Sequence, residues 1–257
     1  MIKRFKEYGF LFTELVKRDF KKKYKRTYLG MLWSVLSPLL SLTVMSLVFT
    51  SFFGRGDDTY VIYLFCGNII FSYFSDATGG GMGSILANSS IITKVPVPKY
   101  MFLLSRNVSS LINFGLTFCV FIIFCIIFPI QFTWSFFLLI FPILCLVIFN
   151  IGVGLILSTL YMFFRDLQYL WNIFTMLLMY LSAIFYKVDA MGLSETIQKL
   201  FLINPIYVFI KYFRIIVINN EIPSPQFHLL ALGYAVLAFL VGALIYKKTN
   251  HKFIYYV

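Results

Sequence analysis

The chain has 257 residues, of which 60% are hydrophobic and only 12% charged, with a mean hydropathy of +0.87. That composition excludes a water-soluble globule, because one domain of this length cannot hide so much apolar surface from water. The net charge of +12 would suit nucleic acid, but ten of the 22 Lys and Arg lie in residues 1–30 and few fall in the long apolar runs, which is the pattern of flanks facing anionic lipid headgroups.

Residues 2–20 predict an amphipathic helix. Phe5, Tyr8, Phe12, Leu15 and Val16 share one face, Lys3, Lys6, Lys17 and Lys21 lie opposite, and Phe10 and Asp19 interrupt the pattern. A basic amphipathic helix just before a span lies in the membrane interface. Roughly 30 polar-rich residues precede the first long apolar run, so no cleavable signal peptide is expected, since a signal sets its short apolar run directly after a few basic residues.

A bilayer core takes roughly 20 apolar residues to cross. Residues 32–53 make the first such run, and residues 60–80 the second, ending in Gly79, Gly80 and Gly81. Between spans two and three, residues 82–100 mix Ser84, Asn88, Ser89, Ser90 and Lys94 with Ile85, Leu86, Ile91 and Ile92, then close on Pro96 and Pro98. This segment is expected to form a short helix across the inner membrane face, where a soluble partner docks. No charged residue occurs from Asn107 to Phe164, and Pro129 and Gln131 divide that stretch into a hairpin of two spans, 105–128 and 134–160. The fifth span is expected at 168–186 and the sixth at 228–246, after Pro223 and Pro225. The connection 187–226 is too long for a plain loop. Within it, 193–202 is weakly amphipathic, Asn204-Pro205 breaks the chain, and 206–218 is apolar but too short to span, the pattern of a helix that dips into the membrane and returns.

With the N-terminus inside, seventeen Lys and Arg fall in inner segments and five in outer loops. Short loops follow the positive-inside rule best, so both termini are expected in the cytoplasm, with the protein multi-pass in the cytoplasmic (inner) membrane. The expected fold is an all-α membrane protein in one domain, 1–257. An N-terminal segment, 1–30, precedes a six-span core, 31–246, and a tail, 247–257.

Catalytic and metal chemistry find no footing. Cys66, Cys119, Cys125 and Cys145 sit inside apolar segments without CxxC spacing, His228 and His251 are distant, and the ten carboxylates are scattered. There is no G-x-S-x-G and no phosphate-cradling G-x-x-x-x-G-K-[ST]. The run Gly79-Gly80-Gly81-Met82-Gly83 lacks that Lys and reads as a helix end. No metal or cofactor is therefore expected in this chain, and any nucleotide engine belongs to another polypeptide. Asp76 and Arg165-Asp166 fall near the interface rather than the midplane, where proton or ion carriers place their charges. Structural pairing is expected, with Asp166 meeting a basic residue at the cytoplasmic rim. Of the abundant aromatics, Phe49, Phe52 and Phe53 on the first span and Trp171, Phe174, Tyr180 and Phe185 on the fifth offer planes for sugar rings. Lipid contact and an interfacial belt explain the same rings.

The segment Lys22 to Pro38, KKYKRTYLGMLWSVLSP, with Tyr24, Leu29, Gly30, Trp33 and Pro38, resembles the approach to the first span in permeases of the ABC type-2 family, nearest to the Wzm-like and TagG-like exporters of polysaccharide and teichoic acid. Asn88 to Pro98 (NSSIITKVPVP) is similar to that family's cytoplasmic loop, Phe164-Arg165-Asp166 to its FRD after span four, and Asn204-Pro205 with Arg214 to its outer re-entrant region. The resemblance implies a homodimer with a second permease copy and two separate ATPase subunits that hold ATP and Mg²⁺. It makes 82–100 the coupling helix, with Asn88, Ile91, Ile92, Lys94 and Pro98 facing the ATPase, and 2–20 a gate helix. The paired first and fifth spans, with their aromatics, would line a channel for a polyprenyl-diphosphate-linked glycan. Lys22, Lys23 and Arg26 are placed to meet the diphosphate, although a positive-inside flank explains the same residues. The short 54–59 and 129–133 loops leave no domain to read the glycan's length or terminal sugar.

Three other functions fit parts of the sequence. A type-2 exporter of drugs or lipids would share the span plan, and the LG-x-x-W approach and aromatic richness favour glycan over it. A membrane glycosyl or acyl transferase needs an acidic or His site that the sequence does not assemble. An ion-coupled flippase needs deep charges, and 107–164 has none.

Overall fold

The computed structural model describes residues 8–25, 27–53, 59–95, 97–128, 130–188, 192 and 194–255. Every regular element among them is helical. The helices are α1 (Gly9–Tyr24), α2 (Trp33–Phe53), α3 (Tyr60–Met82), the single turn α4 (Ser89–Ile92), α5 (Tyr100–Ile127), α6 (Ile140–Phe163), α7 (Leu167–Leu181), α8 (Glu195–Phe201), α9 (Pro205–Val217) and α10 (Pro225–Thr249). The chain therefore forms an all-α membrane protein.

Among the described residues, five segments are long and apolar enough to cross a bilayer: Gly30–Val48, Tyr60–Met82, Tyr100–Ile127, Trp134–Phe163 and Pro225–Thr249. The helix expected over 168–186 is shorter. α7 has 15 residues, about 22 Å of helix. Its end is set by tertiary contacts: Ala183 turns at φ 51, and polar side chains of α3 and α9 take the carbonyls that follow.

α3 is the central post. The spanning helices α5 and α6 pack against it, as does α9, while α2 and α7 lean on it from the rim. It is 72% buried over its window, against 11% for the first span, and α7 buries only Thr175. α2 and α7 thus leave a broad apolar face uncovered. α6 and α10 form the tightest pair. A Cβ on Gly152 would meet the backbone of Ala238 and Phe239, and one on Gly242 would meet the Gly152 carbonyl. Close backbone approach is how membrane helices gain dispersion contacts, since lipid supplies no hydrophobic drive between them.

The run Gly79–Gly83 marks a helix end as expected: α3 continues through the three glycines, stops at Met82 and has Gly83 at its C-cap. The glycines serve packing. A Cβ on Gly80 would strike the Arg106 guanidinium, and Gly81 faces Gly154 and Leu103. The amphipathic N-terminal helix forms α1, from Gly9 to Tyr24. Leu15 is buried, and Tyr8, Leu11 and Phe12 pack with it on Val97, Met101 and Phe102, so the apolar face of α1 seats on protein. Residues 2–7 of that prediction lie outside the described residues.

Candidate coupling face and basic cleft

Both ends of the chain's described part gather at one end of the bundle, around residues 83–102. There a turn and a 3₁₀ stretch, Leu86–Asn88, lead into α4. Asn88 is buried and donates through Nδ2 to the Ser84 carbonyl at 2.7 Å, while the Ser84 hydroxyl donates to the Gly81 carbonyl at 2.7 Å. Two apolar clusters hold the segment. One joins it to α1 through Ile91, Ile92, Val97 and Met101. The other joins Ile85, Leu86 and Ile92 to Tyr246 and Phe253. The Lys99 ammonium donates to the Asn250 carbonyl at 2.9 Å and lies 5.3 Å from the Phe253 ring centre, and partial burial lowers its pKa from the usual lysine value. Of the residues expected to face a partner, Lys94 is exposed and Pro98 half-buried. Asn88 points inward, and Ile91 and Ile92 pack on the protein's own clusters. Among the described residues, the surface left to solvent consists of Ala87, Ser90, Thr93, Lys94 and Val95.

Beside this face, α1, the Gly30 turn and the end of α3 enclose a cleft of about 1170 Å³. Gly30 sits at φ 52, where glycine is at ease and other residues are strained. Arg18, Lys21, Lys22, Lys23, Lys25 and Arg106 line the cleft, with Asp19 the one acid among the described residues. Arg26 lies outside the described residues. Such a set attracts anions and can donate several charge-assisted hydrogen bonds to phosphate oxygens. Asp19, which interrupts the amphipathic pattern, ties α1 to α5 by accepting from Arg18 at 2.7 Å and from the Ser105 hydroxyl at 3.0 Å. Asp76 pairs with Lys23 at 3.4 Å and Arg106 at 3.3 Å. The space Gly80 leaves lets Arg106 reach it.

The pairing expected of Asp166 is not made. Its side chain forms no ion pair among the described residues. It stands exposed at the N-cap of α7, its carbonyl accepting from Tyr169 and Leu170, and the nearby Arg165 lies 5.9 Å from the Tyr161 ring centre instead. The side chains of Phe49, Phe52 and Phe53 lie outside the described residues. On α7, Phe174 and Tyr180 are exposed. Trp171 and Phe185 are half-buried, each packed on its exposed neighbour: Trp171 with Phe174 at 5.3 Å, and Phe185 with Tyr180 at 5.8 Å.

At the opposite end, Asn204 caps α9, accepting from Ile206 and Tyr207, with Pro205 at the first helical position. Its Nδ2 donates to the Ser182 hydroxyl at 2.9 Å and the Leu181 carbonyl at 3.3 Å. Arg214 donates to the Ala183 and Ile184 carbonyls at 2.9 and 3.1 Å. Tyr60 and Tyr63 add hydroxyl donations to the Phe185 and Tyr186 carbonyls at 2.6 and 2.7 Å. The Asn-Pro and Arg motifs therefore build the turn that ends α7. The two tyrosines carried no signal in the sequence beyond an apolar run.

A family model described as ABC-2 type transporter matches residues 11–218. An O-antigen export system permease protein RfbA of Klebsiella pneumoniae is 29% identical over 254 residues, covering 95% of each chain. A second protein of that name from the same organism is 28% identical over 254 residues, covering 95% of each chain. One from Myxococcus xanthus is 23% identical over 255 residues, covering 98% of this chain and 97% of its own.

Proposed function

Because the chain belongs to the ABC-2 type transporter family, we propose that it is the membrane subunit of an exporter that carries a polyprenyl-diphosphate-linked polysaccharide, of the O-antigen or teichoic-acid type, across the cytoplasmic membrane. The observation that carries this reading is the basic cleft beside α1, whose six cations outnumber its single acid and fit a diphosphate. The names of the relatives, all O-antigen export permeases, support the glycan.

In this reading both termini and the Ser90–Val95 surface face the cytoplasm, and a separate ATPase with ATP and Mg²⁺ docks there. α7, with the turn that follows it, serves as the short span of a six-span plan. α2 and α7, which bury little of their length, meet their counterparts in a second copy. Phe174 and Tyr180 then face the passage between copies, with Phe49, Phe52 and Phe53 contributed by the first span. Lys22 and Lys23 meet the diphosphate, and α1 acts as the gate beside it. The chain supplies no hydrolytic chemistry of its own.

Depletion of the protein, followed by mass spectrometry of polyprenyl-linked glycans in the inner leaflet, tests the reading. Accumulation of a full-length lipid-linked polymer with loss of that polymer from the surface is expected, and identifies the cargo. Normal lipid-linked pools and a normal envelope would overturn it in favour of a drug or lipid exporter.

A further inference from the structure

Next to the basic cleft lies a second recess of about 470 Å³, between α2, α3 and α5, which shares Lys23 with it. Its size falls within the ~300–1,000 Å³ of small-molecule sites. Three polar stripes line it at helical spacing. α2 contributes Ser34, Ser37 and Ser41. α3 contributes Asn68, Ser72 and Asp76, and α5 contributes Ser110, Asn113 and Thr117. Residues three and four apart share a helix face, so each helix turns one hydroxyl and amide face toward the others. The recess begins at the Lys23–Asp76–Arg106 cluster. Asn68 lies eight residues further along α3 from Asp76, about 12 Å deeper.

Asp76 bonds directly across to Arg106 of α5, as polar glue between membrane helices does, but several hydroxyls of the stripes do not. The Ser34 and Thr117 hydroxyls turn back on their own helices, to the carbonyls of Met31 at 2.6 Å and Asn113 at 3.0 Å. The Ser110 hydroxyl, at 2% exposure, has no hydrogen-bond partner in the protein. It belongs to the lining. Pro38, also in the wall, has no N–H to give the Ser34 carbonyl. Trp33, Tyr73 and Phe114 add aromatic planes to the hydroxyls and amides. Small donors and acceptors beside aromatic faces, the Ser110 hydroxyl among them unpartnered, match the chemistry of a sugar, which offers hydroxyls at its rim and C–H groups on its faces. A phospholipid would bring acyl chains to a wall of serines. The order of the two sites, cations first and hydroxyls next, follows the order of a diphosphate and the sugars attached to it.

We propose that the recess between α2, α3 and α5 binds the sugar residues adjoining the lipid diphosphate while the diphosphate sits in the basic cleft. This rests on the export reading above. Sugar recognition then takes place within one copy of the chain, on the side of the first span turned to α3 and α5.

The test uses the permease co-purified with its ATPase in lipid nanodiscs, and two probes that differ only in the sugar: polyprenyl diphosphate, and polyprenyl diphosphate bearing N-acetylglucosamine. Native mass spectrometry reads the binding of each. The sugar-bearing probe is expected to bind about tenfold more tightly. Ser41→Leu and Ser72→Leu, which fill the recess with apolar volume, are expected to abolish that ratio and leave the affinity for the bare diphosphate unchanged. Should either fail to assemble, Ser72→Ala and Ser110→Ala, which remove hydroxyls without adding bulk, read the same ratio. Equal binding of the two probes, or a ratio that survives all four substitutions, overturns the recess proposal and leaves export standing. So does competition by phosphatidylglycerol as strong as that of the sugar-bearing probe, which would assign the recess to ordinary headgroups. Failure of both probes to bind above phospholipid background overturns the export reading and the recess with it.

Discussion

Arg214 of α9 lays its guanidinium carbon 3.4 Å from the centre of the Tyr63 ring and donates to the Tyr63 carbonyl through Nε and Nη2, at 3.3 and 3.2 Å. Its other contacts reach Ala183 and Ile184, so one side chain joins α3, α9 and the turn ending α7. A cation buried this deeply usually needs a carboxylate. Here oriented carbonyls and an aromatic face take that place, and no ion pair of Arg214 occurs among the described residues. Arg214→Met leaves those carbonyls without their donors, and a loss of about 3–5 kcal/mol is expected, as for one partner removed from a buried charged network. Thermal unfolding in detergent, followed by tryptophan fluorescence, checks it. A loss under ~1 kcal/mol would mean that the carbonyls find other donors.

Gly67 makes room for that guanidinium. A Cβ there would stand 2.9 Å from Arg214 Nη2 and 3.3 Å from the Ile184 Cα. Gly67→Ala is expected to destabilise the wild type by about 1–3 kcal/mol, and by less in the Arg214→Met background, where the side-chain part of the clash is relieved. Equal costs in the two backgrounds, read from a double-mutant cycle, would show that the two positions are independent.

The α6–α10 contact reverses the usual sign of a glycine substitution. Alanine is favoured over glycine in a helix by about 1 kcal/mol, and at Gly115 and Gly233, where nothing lies within 4 Å of a new Cβ, that gain is expected. At Gly152 and Gly242 the opposing atoms are backbone and cannot rotate away. Gly152→Ala and Gly242→Ala should therefore lower the unfolding temperature, while Gly115→Ala and Gly233→Ala raise or preserve it. The same sign at all four positions would mean that α6 and α10 can separate freely.

Much of this fold was legible in the sequence, because the signals are of the kind bilayers enforce. Long apolar runs gave five spans, and Asn204-Pro205 marked the start of α9. What escaped was decided by contacts distant in sequence. α7 stops at Leu181 because Asn204, Arg214, Tyr60 and Tyr63 consume the carbonyls beyond it, and no property of 168–186 announces that. The glycines at 79–81 mark the end of α3 correctly, but their packing role was hidden because their partners, Arg106 and Gly154, lie on other helices. Asn88 and Ile92 read as a docking surface because a mixed polar and apolar pattern does not reveal which face the termini cover. The residues at 34, 37 and 41, at 68, 72 and 76, and at 110, 113 and 117 went unremarked inside apolar runs, because only folding brings them opposite one another.

Asp76 sits between Lys23 and Arg106, with side-chain exposures of 28%, 39% and 25%. Partly solvated pairs contribute little, so Asp76→Asn is expected to cost no more than about 1 kcal/mol of stability. It also frees two cations at the junction of the cleft and the recess. Binding of inorganic diphosphate should tighten by a few-fold and become steeper in its dependence on salt. Weaker binding would mean that Asp76 orients Lys23 and Arg106 rather than restraining them.

The last prediction separates the surface that meets a partner from the scaffold that holds it. Lys94 is exposed on the short face left between α1 and the C-terminal turn, while Phe253 is fully buried against Tyr246, beneath Lys99. Lys94→Glu reverses a charge and removes no packing, so stability should hold within about 0.5 kcal/mol while coupled transport falls. Phe253→Ala deletes a core ring at a cost of about 3–5 kcal/mol where the site cannot collapse. Because Ile92 and Tyr100 belong to both the α1 cluster and the C-terminal cluster, that loss should loosen the segment itself. Hydrogen exchange over 85–100 is therefore expected to quicken in Phe253→Ala and stay unchanged in Lys94→Glu, with ATP-driven transport reduced in both. If exchange quickened in neither, the C-terminal turn would not brace the segment, and the inward packing of Ile92 on α1 alone would have to hold it.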